Sequence, residues 1–92
     1  MTFKELKFRT SSLNWNDIQA WTEVNGYEVS IIRNSLSYGG NKGLYEIGVY
    51  KAGTNKMCDP LGWGDDVKGW LSSQDVEQEL ELIKKLWHNY KV

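Results

Sequence analysis

The sequence predicts an α+β domain, a three- to four-stranded antiparallel sheet (hairpin or meander) packed by one C-terminal amphipathic helix. Three observations carry this. An Asn25-Gly26 dipeptide separates two runs rich in β-branched and aromatic residues, a third such run spans 44–51, and a Ser72-x-x-Asp75 start signal opens a stretch of helical apolar spacing.

The hairpin is the clearest element. Both central positions of a type I′ turn need positive φ, which Asn and Gly tolerate best. A two-residue turn at Asn25-Gly26 sets Val24 against Tyr27, Thr22 against Val29 and Ala20 against Ile31. These share a largely apolar face and are expected to point inward. The opposite face carries Trp21, Glu23, Glu28, Ser30 and Ile32; it places two glutamates across from one another and is expected to face outward.

Residues 34–43 read NSLSYGGNKG, a loop long for a hairpin connection. The 44–51 run then resumes the strand, with Tyr45, Ile47 and Val49 extending the inner face. Residues 52–66 show no periodicity and hold Gly53, Pro60, Gly62 and Gly64, so they read as a second long loop. A short fourth strand over 67–71 is expected to place Val67 and Leu71 on one face.

In the last segment Ser72 and Asp75 form a capping box, each side chain satisfying a backbone amide of the other. Val76, Leu80, Ile83, Leu86 or Trp87, and Tyr90 then make one apolar stripe. Asp75, Glu77, Glu79 and Glu81 precede Lys84, Lys85 and Lys91, an order that complements the helix dipole, and Glu81 lies four residues before Lys85. At the other end, Phe3, Leu6 and Phe8 fit a strand or a helical turn equally well, and Thr10, Ser11, Ser12 and Asn14 read as a polar break.

The 92 residues suit one domain, 1–92, without repeats or linkers. Cys58 is the only cysteine, no apolar run approaches a membrane span, and the first residues are charged, so a soluble, reducing, cytoplasmic setting is expected. The net charge of −1 gives no basic field for nucleic acid. The aromatic load, five Trp, five Tyr and two Phe, exceeds what a core of this size needs, so some rings are expected at the surface.

Catalytic signatures are missing. Cys58 and His88 are the only thiol and imidazole, with no spacing that pairs them, and Cys58, Asp59 and His88 lack metal-ligand spacing. Asp59, Asp65 and Asp66 do not alternate as calcium-loop ligands do and read as turn-capping acids. Gly39-Gly40 and Gly43 are followed by a strand and by no Gly-Lys-Ser/Thr, which excludes the common phosphate loops. Tyr27, Tyr45, Tyr50 and Trp21 lie on strands, as in an RNA-stacking platform, yet Tyr27 and Tyr45 fall on the inner face and few bases accompany the rings. Trp63, between Gly62 and Gly64, is open to two readings: an edge plug of the core or an interface anchor.

The segments NGYEVSIIR, SYGG, GLYEIGV and DDVKGWLSSQDV, over about residues 25–76, resemble a group of small accessory proteins of tailed bacteriophages. Where that group has a short YDTPIT-like segment, this chain has MCDPLGWG, so the Trp63 loop departs from the pattern. The resemblance implies a shared fold, a bacterial host cytoplasm and no catalytic residue to carry over. It also implies a non-enzymatic inhibitor of a host defence complex, anti-CRISPR-like, acting by stoichiometric binding to a host protein or ribonucleoprotein. A nucleic-acid-binding regulator and a virion or assembly accessory are the alternatives. No cofactor or metal is expected. The expected partner-binding surface is the pair of long loops, with Tyr38 and Trp63 as anchors and Arg33 and Asp65 as polar contacts.

Overall fold

The computed structural model describes residues 2–10 and 17–86. Six strands, β1 (Arg9–Thr10), β2 (Ile18–Val24), β3 (Tyr27–Arg33), β4 (Tyr45–Lys51), β5 (Met57–Cys58) and β6 (Val67–Leu71), precede one helix, α1 (Ser73–Lys84). All pairings are antiparallel, in the order β1-β2-β3-β4, after which β5 and β6 share the outer edge of β4. The sheet is therefore larger than the expected three or four strands. The additions, β1 and β5, are two residues each, too short to leave a period in the sequence. Met57 and Cys58 sit within what reads as an aperiodic loop and pair with Tyr50 and Val49.

The hairpin register is the expected one, Val24 to Tyr27, Thr22 to Val29 and Ala20 to Ile31. Asn25 and Gly26 both take positive φ, 53° and 83°. The turn also reaches the helix: Asn25 Nδ2 donates to the carbonyls of Ile83 (2.9 Å) and Leu86 (2.8 Å), at and just beyond the C-terminal end of α1.

Ala20, Val24, Val29, Ile31, Ile47 and Val49 from the sheet meet Val76, Leu80 and Ile83 of α1 in the core, with Leu6 and Leu71 at its margins. The capping box forms as expected, Ser72 Oγ accepting from Asp75 N (3.1 Å) and Asp75 Oδ2 from Ser72 N (3.0 Å). Leu86 follows the helix and is half-buried, whereas Trp87, His88, Tyr90 and Lys91 lie outside the described residues, as do Ser11, Ser12 and Asn14. The N-terminal ambiguity resolves as a 3-10 turn, Phe3–Glu5, whose Phe3 amide donates to Glu77 on the helix. Phe3, Phe8 and Tyr45 then cluster, with ring centroids 5.0 to 5.7 Å apart.

Two expectations are corrected. Val67 and Leu71 do not share a face: Val67 pairs with Gly48 and its side chain lies against the open side of that glycine, while Leu71 pairs with Tyr45 in the core. Gly69 and Trp70 together span the single position Glu46, a bulge that shifts the alternation by one residue. On the outer face Ser30 is buried; Gln19 Nε2 donates to its hydroxyl (2.9 Å), and Trp21 and Tyr50 pack beside that row at 5.5 Å.

Candidate binding site

The bulge in β6 builds the site. Trp70 adopts φ 59°, a left-handed conformation that costs a tryptophan on the order of 1–2 kcal/mol, and its side chain is 61% exposed. Its ring lies over Gly39 of the 34–43 loop, where a Cβ would stand 3.2 Å from Trp70 Cε3. The bulged backbone is held by the 34–43 loop, since Trp70 N donates to Tyr38 O (3.1 Å). Tyr38 N in turn donates to Glu46 Oε1 (2.7 Å) on β4, opposite the bulge.

That loop is ordered by its own side chains. Asn34 Oδ1 accepts from the amides of Leu36 and Ser37, both at 2.8 Å, and Ser37 Oγ donates to Asn34 O. Gly40 is fitted so closely that a Cβ would stand 1.8 Å from Asn34 O. At Gly69 a Cβ would stand 2.2 Å from Tyr38 Cβ, so the loop lies directly on the bulge. Gly39, against Trp70, and Gly69, against Tyr38, thus answer to the contact of loop and edge strand, whereas Gly40 answers to the fold of the loop on itself.

The 52–66 loop supplies the other wall. Asp59 accepts from Trp63 N (2.7 Å) and Gly64 N (2.8 Å), and these backbone donors hold its carboxyl below the usual carboxylate range. The clamp fixes the Gly62-Trp63-Gly64 segment. Trp63 is half-buried against the core, and its Nε1 donates to Glu79 Oε1 (3.0 Å). Glu79, a buried acid on α1, also receives Lys68 Nζ at 2.9 Å. The sequence marks Glu79 only as a dipole-complementing acid; in the structure it holds Trp63 and Lys68 together.

The result is an open pocket of about 530 Å³ lined by Tyr38, Trp63, Trp70, Asp65, Val67 and Lys68, with glycines between them. Three of the four sequence-predicted contacts, Tyr38, Trp63 and Asp65, meet here. Arg33 does not join them: its Nη1 donates to Tyr45 Oη (3.0 Å) and its guanidinium lies over that ring at 5.2 Å, beside the Phe3 and Phe8 cluster. Trp70 and Lys68 were not legible as site residues, because strand alternation says nothing of a bulge. The only sequence signal is Gly69, a glycine within a strand. Of the two readings of Trp63, the structure shows the edge plug, the indole being packed against the core; the same ring also lines the pocket.

The remaining chemistry is sparse. Cys58 sits on β5, half-buried, and burial pushes its thiol up. His88 is outside the described residues. Among the described residues no three His, Cys, Asp or Glu side chains come together as a metal site, and no helix is long and apolar enough to cross a membrane. Comparison with family models, curated proteins and solved structures gave no match.

Proposed function

We propose that this protein acts by binding rather than by catalysis, as a stoichiometric inhibitor of a host defence complex, and that it engages its partner through the Tyr38, Trp63 and Trp70 pocket. The inhibitor class rests on the resemblance of the NGYEVSIIR, SYGG and DDVKGWL segments to phage accessory proteins. Support for the surface comes from one observation above all: an exposed tryptophan is kept at positive φ on a bulge, beside a second exposed aromatic, where stability alone favours Gly or Asn. Exposed Trp and Tyr in a shaped depression are the residue types that anchor protein interfaces.

The test is affinity capture from bacterial cells with the wild-type chain and with Trp70→Ala, identifying protein and nucleic acid. The reading expects a subunit of a CRISPR or restriction complex that is retained by the wild type and lost from the variant. Capture of bulk RNA or DNA, or of capsid or tail proteins, contradicts it.

A further inference from the structure

We infer that the pocket receives an arginine side chain of the partner, stacked among Trp70, Trp63 and Tyr38 and paired with Asp65. This deepens the proposed binding function and rests on it for the identity of the partner as a protein. The charge balance of the lining carries the argument. Lys68 is the only cation among the described lining residues, and its ammonium lies 2.9 Å from Glu79, a buried carboxylate. Glu79 therefore takes up the positive charge from below, and Asp65, with Asp66 next to it in sequence and also exposed, leaves the rim negative.

Aromatic walls and a negative rim select a particular guest. The faces of Trp and Tyr attract cations through the ring quadrupole, Trp most strongly. A guanidinium adds planarity, so it stacks on an indole face while presenting paired N–H groups to a carboxylate. Anionic guests meet the Asp65 carboxylate, and the one ammonium available is already paired, which disfavours a phosphate or a nucleic-acid backbone. A purely apolar guest would strip water from the Asp65 carboxylate, whose Oδ1 accepts the Asp66 amide (2.7 Å), without returning a charged partner.

Backbone geometry keeps these walls apart and in place before any guest arrives. Trp63 is fixed from two directions, by Asp59 at its amide and by Glu79 at its indole, and Tyr38 and Trp70 are joined by a main-chain hydrogen bond. A guest therefore meets side chains whose supports are already formed, which lowers the entropic cost of capture.

The test is titration of the wild-type protein with the capped tripeptide acetyl-Gly-Arg-Gly-amide, following the indole N–H resonances of Trp63 and Trp70. The norleucine and glutamate counterparts serve as neutral and anionic probes. Saturable shifts at both indoles with a roughly millimolar Kd, and at least about tenfold weaker binding of the norleucine peptide, are expected. Asp65→Asn, whose folding is checked by circular dichroism, should weaken the arginine peptide about threefold or more. Equal binding of the norleucine peptide, tighter binding of the glutamate peptide, or no saturable shift overturns the inference. The two failures are separable: without a peptide response but with Trp70-dependent capture of a defence subunit, the proposed function stands and the arginine guest falls. A peptide response with capture indifferent to Trp70→Ala leaves the cage standing and removes the proposed function.

Discussion

Trp63 Nε1 and Glu79 Oε1 stand 3.0 Å apart, joining a loop indole to the one buried carboxylate of the helix among the described residues. The pair divides Trp63 between two jobs, since the same ring lines the pocket and seals the sheet margin.

Trp63→Ala is accordingly expected to destabilise the fold by about 2–3 kcal/mol, through lost packing and a carboxylate left with Lys68 alone. Trp63→Phe keeps much of the packing and should cost about 1–2 kcal/mol. Urea unfolding of both variants checks the order; a Trp63→Ala protein as stable as wild type would place the indole outside the core.

Trp70 behaves oppositely. Trp70→Asn places at φ 59° a residue that tolerates this conformation better, so stability should be unchanged or rise by about 0.5–1 kcal/mol, while partner capture is lost. A variant destabilised by more than about 1 kcal/mol would show that the ring is structural. Gly69→Ala should impair capture by another route, because its methyl displaces Tyr38 from the bulge.

At the hairpin, Gly26→Val should cost about 1–3 kcal/mol from backbone conformation alone, since a Cβ there meets nothing within 4 Å. Asn25→Gly preserves the turn and removes the side-chain bonds to Ile83 and Leu86, so a loss of about 1–2 kcal/mol is expected. An unchanged melting temperature in Asn25→Gly would remove the link from the account of stability.

Acid should loosen the Trp63 loop. The Asp59 carboxyl is depressed by the amides of Trp63 and Gly64, so its contribution is complete above the ordinary carboxylate range and is lost as pH falls through the lower folded value. Asp75 at the helix start follows the same sign, its carboxyl lowered first by the Ser72 amide. The Trp63 indole resonance followed from neutral pH into acid should move in that window, and Asp59→Asn should flatten the part due to the loop.

Cys58→Ser is expected to leave partner capture intact, as is treatment with a chelator. Loss of binding in a folded Cys58→Ser protein would argue for thiol chemistry on β5.

What the sequence disclosed and what it withheld divide along physical lines. The Asn25-Gly26 turn, its register and the Ser72 cap are local, fixed by φ preferences and short-range hydrogen bonds, and so could be read directly. The outward placement of Trp70 arises from a bulge opposite Glu46, which depends on where the 34–43 loop comes to rest. Glu79 was hidden for a similar reason: its burial reflects Trp63 and Lys68, residues 16 and 11 positions away, and not its own helical neighbours. Tyr38, Trp63 and Asp65 could be chosen because aromatic and acidic residues in glycine-rich loops have few other uses, whereas Arg33, at a strand end, found an aromatic partner instead.

The link between Asn25 and the end of the helix also determines where the chain can change length. A hairpin tip is ordinarily the place a protein accepts extra residues. Here the tip is a spacer of fixed size, because an added residue would draw Asn25 away from the Ile83 and Leu86 carbonyls and slip the strand register with it. The tolerant site is the exposed stretch 52–56 between β4 and β5, with open space around Gly53. A peptide tag inserted after Gly53 should therefore leave the fold and the pocket intact, and the same tag between Asn25 and Gly26 should not.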